Sequence, residues 1–417
     1  MLLIYYTFDC CAGSLTNIGA IFGSLLCGPL MVAVGQRKAL MLSLPMGALG
    51  WVAHYFSSAI WQLQVIRFIH GIIVGIYLPA TLNYSTEISH VNARGRMAAS
   101  ISMGRQSGYL ASYVIGSVLH WRHASLVFGV VTLVPFVMLF MLDDSPRWLA
   151  SKSRHDDARK SLLHFRGENY PVDKELMEIE EQLKTTEAGR VIDQVKNFND
   201  PVIRNLMLLM IFLFFVSQLN GHNSMATYAT TIFQSVQGDI DSYLSTAIVG
   251  SVRVVGTAVY LIIADKFPRK VLLVGSLGLS SASMIILGVF LFFSNNGFDV
   301  SNYNYIPIVT ITIYTCFACI AYTLLLLVRS ELLPNPVRSL GVSAIGCVYY
   351  VSGFIISYVF LLMLEFMGTH GTFIFYGLSG FLMLIITALF VKETYSKSLE
   401  EIETSYISNK SKENRNI

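Results

Sequence analysis

Long apolar runs separated by short polar segments dominate the chain. A helix needs about 20 mostly apolar residues to cross the hydrocarbon core of a membrane. Runs of this length predict about eleven membrane-spanning helices, at residues 14–34, 39–57, 61–86, 98–119, 123–142, 204–227, 243–264, 271–293, 306–328, 340–363 and 371–391. Because spans of this kind must satisfy their backbone groups internally, the pattern predicts an all-α membrane protein.

Composition strengthens this prediction. Of the 417 residues, 54% are hydrophobic and only 13% are charged. Soluble domains carry roughly a quarter charged residues, so this chain has too few charges to cover a water-facing surface. Its net charge of +3 is mild and does not indicate a nucleic-acid partner. The expected surroundings are a lipid bilayer.

Positive charge is divided unevenly between the connectors. Successive loops lie on opposite sides of the membrane, so the short loops form two sets. The loops of one set contain Arg37, Lys38, Arg94, Arg96, Lys266, Arg269, Lys270, Arg329 and Arg338. The other set contains essentially Arg122 alone. Basic residues remain on the cytoplasmic side of a membrane. We therefore expect segment 143–203 and the C-terminal tail to be cytoplasmic, with Met1 outside.

The long loop and the tail divide the chain into four expected segments. These are an incomplete N-terminal helix bundle, a cytoplasmic linker with short helices, a C-terminal six-helix bundle and a tail, at residues 1–142, 143–203, 204–391 and 392–417. Within the linker, residues 155–165 and 172–187 show helical spacing, with Leu176, Ile179 and Leu183 on one face. This spacing predicts a helix pair that packs against the spans.

Acidic and basic residues recur together near the predicted cytoplasmic ends of both halves. The two clusters are Arg37, Glu87, Arg94 and Arg147 in the first half, and Asp265, Arg269, Glu331 and Arg338 in the second. The positive-inside rule accounts for the basic residues but not for a glutamate in each cluster. Matching clusters favour an internal repeat, which is typical of transporters that rock around a midplane site. We expect these residues to form a cytoplasmic gate.

Seven short motifs occur in order along nearly the whole chain. They are Gly28-Pro29 with Gly35–Lys38, Arg67-x3-Gly71-x3-Gly75 with Glu87 and Arg94-Gly95, Asp144–Leu149, Gln218-x2-Gly221-x-Asn223, Asp265-x3-Arg269-Lys270, Glu331-x2-Pro334-x3-Arg338, and Glu393-Thr394 with Leu399–Ile402. In this order they resemble the sugar porter family of the major facilitator superfamily, and most of all the insect facilitative trehalose and glucose transporters. The resemblance implies two pseudo-repeated helix bundles, with the first helix of the family absent here.

The resemblance also implies a sugar site around the first span of the second half. Amides suit sugar hydroxyls because they offer both donors and an acceptor, and Gln218 and Asn223 match hydroxyl-contacting positions of the family. The implied substrate-binding residues are Gln218, Asn223, Ser217, Tyr228, Arg253, Ser102 and Tyr350. Hydrogen bonding between helices is the alternative role for amides in a membrane.

Some positions depart from the family pattern. Gln36 stands in place of the first Arg of the first loop motif, Ser217 in place of a Gln, and Pro268 in place of a Gly. Together with the absent first helix, these changes predict an altered substrate preference and a weakened conformational switch.

Two arginines are expected near the middle of the membrane. By helical rise, Arg105 and Arg253 lie about 16–18 Å from the predicted cytoplasmic ends of their spans. An arginine stays charged, and burying one at this depth costs about 2.5–3.5 kcal/mol on insertion scales. No acidic residue occurs at matching depth. Either carbonyls and tyrosines such as Tyr349 and Tyr350 surround these charges, or the cavity holds an anion.

The leading functional prediction is facilitated diffusion of a sugar, a hexose or trehalose, by alternating access. No carboxylate is embedded in the predicted spans, so the sequence indicates no proton-coupling group. Two alternatives stay open: a carrier of a small organic anion, and a degenerate or incomplete transporter without flux. The sequence shows no nucleophile–base pair, phosphate loop or metal cluster, so we predict neither an enzyme nor a cofactor. The resemblance implies the plasma membrane.

Overall fold

The computed structural model describes residues 2–90, 94–167, 170–187, 200–227, 242–263, 266–299, 301–303, 305–333 and 338–393. Over these ranges the chain is built from α-helices and two short 3-10 turns, without strands. The helices are α1 (Leu2–Val34), α2 (Gln36–Phe56), α3 (Ile60–Ile88), α4 (Arg94–Val118), α5 (Trp121–Met138), α6 (Pro146–Ser151), α7 (His155–Arg166), α8 (Val172–Glu187), α9 (Pro201–Leu219), α10 (His222–Thr227), α11 (Ser242–Ile263), α12 (Arg269–Asn295), α13 (Ile306–Leu332) and α14 (Arg338–Phe390).

The helices confirm the predicted all-α membrane protein. In the described part of the chain, ten helical stretches are long and apolar enough to cross a membrane, and each coincides with a predicted span. The remaining predicted span, 98–119, is helix α4, whose serines, glycines and arginines make it less apolar than the others. Helix α14 contains two of the spans and is interrupted at Gly368, which has a positive φ of 69°.

Contacts between helices divide the chain into two compact units. The first consists of Met1–Ser102 with Val118–Asp193, and the second of Met103–Ser117 with Gln194–Ile417. The central part of α4 therefore groups with the second unit, whereas the predicted segments place it in the N-terminal bundle. The predicted segment boundaries stay a prediction.

Close packing of α1 on α3 organises the first unit. A Cβ on Gly71 would lie 2.2 Å from the Thr16 carbonyl oxygen, and one on Gly75 would lie 2.4 Å from that of Ala20. On the facing helix, a Cβ on Gly19 would lie 2.1 Å from the Phe68 oxygen. Small residues four apart allow membrane helices to approach this closely. The glycines of the Arg67-x3-Gly71-x3-Gly75 motif therefore have a packing role.

The linker helices belong to the same unit. Helices α7 and α8 confirm the predicted pair, and Leu176, Ile179 and Leu183 pack against a small core that contains Leu149. Arg166, at the end of α7, donates to the carbonyls of Ile88 and Ser89 where α3 ends. It also pairs with Glu175 at 2.8 Å.

The pairing with Arg166 changes the pKa of the Glu175 carboxyl. Partial burial raises its pKa, but the hydrogen bonds and charge of Arg166 outweigh that effect and leave the pKa below its usual range. The pair is therefore charged at neutral pH and joins both linker helices to the end of a span.

A helix break marks the predicted sugar motif in the second unit. The span predicted as continuous over 204–227 consists of two helices, α9 and α10, because Gly221 has a φ of 79°. A Cβ at Gly221 would lie 2.4 Å from the Tyr376 ring, so only glycine fits without a shift. The carbonyl of Asn220 is turned out of the helix and accepts a hydrogen bond from the Tyr314 hydroxyl at 2.7 Å.

Candidate functional site

One face of α4 carries an arginine followed by two tyrosines. Arg105, Tyr109 and Tyr113 are spaced four residues apart, so their side chains lie one above another on the helix. The rings of Tyr109 and Tyr113 stack with their centroids 6.5 Å apart. Gln106, beside Arg105, is completely buried. All four residues lie in the part of α4 that groups with the second unit.

Arg253 of α11 packs against this face. It is only 2% exposed, and its Nε donates to Oε1 of Gln106 at 3.0 Å. Its guanidinium carbon lies 4.7 Å from the centre of the Tyr109 ring. The preceding turn of α11 approaches α4 closely, since a Cβ on Gly250 would lie 2.8 Å from the Tyr113 ring. The Nη2 group of Arg253 is buried and has no hydrogen-bond partner among the described residues.

Arg105 meets a second aromatic group. Its guanidinium carbon lies 4.7 Å from the centre of the Tyr322 ring on α13, and it also interacts with the Tyr322 hydroxyl. The Tyr322 ring also stacks with His222, with the centroids 5.1 Å apart, and lies tilted against Tyr349 at 5.5 Å. Within the described residues, Nη2 of Arg105 is likewise buried without a hydrogen-bond partner.

Aromatic faces, rather than carboxylates, surround the two charges. Neither Arg105 nor Arg253 forms an ion pair with a described carboxylate. Of the two alternatives drawn from the sequence, the tyrosine contacts are partly present, with the rings of Tyr109 and Tyr322 rather than those of Tyr349 and Tyr350. The other alternative, a bound anion, stays open. A guanidinium over a tyrosine ring is stabilised by about 0.5–2 kcal/mol, which offsets part of the cost of burial.

The predicted amides reach the same cluster through Tyr349. Gln218, at the end of α9, is 1% exposed and donates to the Tyr349 carbonyl at 3.3 Å. Asn223, just after the helix break, accepts from the Tyr349 hydroxyl at 3.4 Å. The Tyr350 ring lies edge-on to Tyr349 at 5.5 Å. The structure therefore brings Gln218, Asn223, Arg253 and Tyr350 to one group of side chains.

The other predicted binding residues lie elsewhere or outside the described residues. The Ser217 hydroxyl donates to the Phe214 carbonyl of its own helix at 2.7 Å. Ser102 lies on α4 in the part that groups with the first unit. Tyr228 lies outside the described residues.

The first predicted gate cluster is a hydrogen-bonded group in the first unit. Glu87 accepts from Gln36 at 2.9 Å and from the Ser145 hydroxyl. Arg37 donates to the Leu139 carbonyl at 2.9 Å and lies 3.6 Å from Asp144. Gln36 replaces the arginine of the family pattern but keeps a hydrogen bond to the carboxylate.

The other two predicted members of this cluster are Arg147 and Arg94. Arg147 is half-buried and forms no ion pair with a described carboxylate. The side chain of Arg94 lies outside the described residues, although its backbone begins α4.

The second predicted gate cluster is described only in part. Asp265 and the side chains of Glu331 and Arg338 lie outside the described residues. At the start of α12, the backbone N–H groups of Arg269 and Lys270 donate to the two carboxylate oxygens of Glu393, each at 3.0 Å. This role of Glu393 was not predicted from the sequence.

The side chains around Arg105 and Arg253 form a group that we call the aromatic cluster. Three of its residues were not predicted from the sequence. Tyr109 could have been found, because it lies one turn from Arg105 on the same helix. Gln106 and Tyr322 could not, because their partners come from other spans.

Comparisons with known proteins agree with the fold. Residues 11–406 match the family described as "Sugar (and other) transporter". The facilitated trehalose transporter Tret1 of Bombyx mori is 30% identical over 411 residues, which cover 97% of this chain and 80% of that protein. Tret1 of Polypedilum vanderplanki is 29% identical over 395 residues, covering 94% of this chain and 78% of that protein.

A solved structure shows the same fold at lower identity. The proton:xylose symporter XylE of the major facilitator superfamily, bound to 6-bromo-6-deoxy-D-glucose, matches with a TM-score of 0.78 at 21% identity. The match covers 97% of this chain and 90% of that chain. From the family match over residues 11–406, the chain belongs to the sugar transporter family; it has the fold of a major facilitator superfamily protein and is a multi-pass membrane transporter.

Proposed function

We propose that the protein carries a sugar, a hexose or trehalose, across the plasma membrane by facilitated diffusion. The observation that carries this proposal is the meeting of Gln218 and Asn223 with Tyr349 at a helix break of the second unit. Broken helices near the membrane midplane commonly form the substrate sites of transporters. The relatives that match most of this chain include facilitated trehalose transporters.

The chemistry of the amides suits a hydroxylated ligand. The Oε1 atom of Gln218 is buried and has no donor among the described residues. An unmatched buried acceptor is costly, and a sugar hydroxyl would supply the missing proton. Asn223 holds a weak hydrogen bond of 3.4 Å to a tyrosine, which a ligand hydroxyl can replace. Substrate sites combine such convergent polar groups with aromatic walls.

The charge cluster around Glu87 supports a gating role in alternating access. Gln36, Ser145, Arg37 and Asp144 join three stretches of the first unit at one end of its spans. Gln36 and Ser145 are buried, so their hydrogen bonds contribute about 0.5–1.5 kcal/mol each. A cluster of this strength can hold one state closed and still break during each transport cycle. We propose that this end of the spans, the linker and the C-terminal tail face the cytoplasm.

Replacing Gln218 tests the sugar site. The full chain is reconstituted in liposomes, and counterflow of labelled glucose and labelled trehalose is measured. Gln218→Ala removes a donor and an acceptor from the site, so the flux should fall by about tenfold or more. Ser251→Ala is the control, because Ser251 is exposed and its hydroxyl bonds only to its own helix.

Two results would contradict the proposal. Saturable flux that is equal in Gln218→Ala and the wild type would show that Gln218 does not bind the substrate. A correctly folded wild-type protein that moves no sugar at all would favour the alternative of a transporter homologue without flux.

A further inference from the structure

Buried hydrogen-bond donors without acceptors collect between α4 and α11. They are Nη2 of Arg105, Nη2 of Arg253 and Nε2 of Gln106, and each is buried with no partner among the described residues. The Oε1 atom of Gln106 is already taken by Arg253 at 3.0 Å. All three unmatched groups are therefore N–H donors, and two of them belong to cations.

From this cluster we propose that Arg105 and Arg253 bind a carboxylate of the transported substrate, so that the preferred substrate class is an acidic sugar. A monosaccharide with one carboxylate, such as a hexuronate, meets the chemistry of the cluster. This inference rests on the proposed function, because it assigns a substrate class to the same sugar site. The hydroxyl oxygens of a neutral sugar could also accept hydrogen bonds from these three groups, but only a carboxylate would in addition balance the positive charge of the two arginines.

Electrostatics favours a negative ligand at this place. The two guanidiniums repel each other, and neither pairs with a described carboxylate. Charges this deep in a membrane protein normally face a partner or a watery cavity and mark a substrate path. The rings of Tyr109 and Tyr322 contact the guanidinium carbons, and Nε of Arg253 donates to Gln106. The Nη2 group of each arginine is left without a described acceptor, and guanidinium N–H groups are the part that binds a carboxylate.

The same cluster reaches the sugar-binding amides. Arg105 lies on Tyr322, Tyr322 contacts Tyr349, and Tyr349 hydrogen-bonds to Asn223. These contacts are all within the second unit. The amides and the arginines therefore belong to one connected group of side chains, and the proposal places the hydroxyls of the ligand at the amides and its carboxylate at the arginines. A neutral hexose would leave the positive charge of the arginines with the ring contacts alone.

The test compares two ligands of nearly equal shape, one with a carboxylate and one with a neutral amide in its place. Counterflow of labelled glucuronate and of its neutral amide, glucuronamide, is measured in liposomes containing the full chain. We expect glucuronate to move about tenfold faster or more, since charge-assisted hydrogen bonds are roughly twice as strong as neutral ones. Arg253→Gln should reduce the ratio of glucuronate to glucuronamide flux towards one. Arg154→Gln, a change at an exposed ion pair with Asp157, should keep the wild-type ratio.

A free anion beside a neutral sugar would use the same donors, and a further measurement distinguishes it. Glucose counterflow is repeated with phosphate, chloride or neither on both sides of the membrane. Glucose flux that requires phosphate or chloride, with no flux of glucuronate, would overturn the proposal in favour of a bound free anion. Equal fluxes of glucuronate and glucuronamide, both unchanged in Arg253→Gln, would also overturn it and leave the arginines with a structural role.

A binding measurement tests the proposal if the protein transports no sugar. The proposed function would then fail, and the charge preference would be read from thermal stability of the purified protein. Stabilisation by glucuronate but not by glucuronamide, lost in Arg253→Gln and kept in Arg154→Gln, supports the anion site without transport. Equal stabilisation by both ligands, or by neither, overturns it.

Discussion

At the scale of single residues, the start of α12 depends on a distant carboxylate. Its N-cap position is Pro268, which has no side-chain acceptor to cap the helix. The first amide groups instead donate to Glu393, three residues after the end of α14. A negative charge at this end also complements the helix dipole. Glu393 therefore joins the end of the last span to the beginning of an earlier one.

Removing this carboxylate should destabilise the protein. Glu393→Ala leaves two N–H groups of α12 without their acceptor, and the loss of a helix cap costs about 0.5–2 kcal/mol. We expect the Tm of the detergent-solubilised protein to fall by several degrees. Glu365→Ala is the matched control, because Glu365 is exposed. A Tm that is equal in the two variants would show that Glu393 contributes no cap.

The sequence predicts some of these residue contacts and not others. The depth of Arg105 follows from helical rise, and the position of Tyr109 above it follows from the four-residue spacing. The contact with Tyr322 could not be predicted, because it depends on how α13 is rotated against α4. Glu393 belongs to a recognised motif, yet its partner lies more than a hundred residues earlier, and no local pattern links the two.

At the scale of helices, apolar length predicts where spans lie but not where they break. The predicted span 204–227 has the composition of one helix, and only the positive φ of Gly221 divides it. A glycine inside an apolar run does not by itself indicate a break, since Gly71 and Gly75 lie within an unbroken α3. The difference comes from tertiary packing: Tyr376 lies against Gly221, whereas α1 lies against the glycines of α3.

The packing of α1 on α3 gives a prediction at this scale. Gly71→Ala would place a methyl group 2.2 Å from the Thr16 carbonyl oxygen and 2.8 Å from the Gly19 Cα. Both are backbone atoms, so the helices must move apart, at a cost of about 1–3 kcal/mol. The Tm should fall, whereas Gly275→Ala, at a helical position with no atom within 4 Å, should leave it equal or higher. Equal Tm values in the two variants would contradict this close approach.

Across the molecule, the gate cluster of the first unit and the aromatic cluster of the second unit balance their charges differently. The gate cluster of the first unit contains carboxylates matched by Gln36, Ser145 and Arg37. In the aromatic cluster, the side chains that contact the guanidiniums are tyrosines and one glutamine. No described carboxylate forms an ion pair there. The site is therefore expected to bind and release its substrate without a carboxylate that takes up and releases a proton.

We therefore predict that sugar transport by this protein does not depend on a proton gradient. In liposomes with an inward proton gradient, labelled sugar should enter until its internal and external concentrations are equal and no further. An uncoupler should leave this plateau unchanged, because facilitated diffusion uses only the gradient of the sugar itself. Liposomes that contain the Gln218→Ala variant are the control for sugar that leaks through the membrane. Accumulation above the external concentration that collapses with the uncoupler would show proton coupling and contradict the prediction.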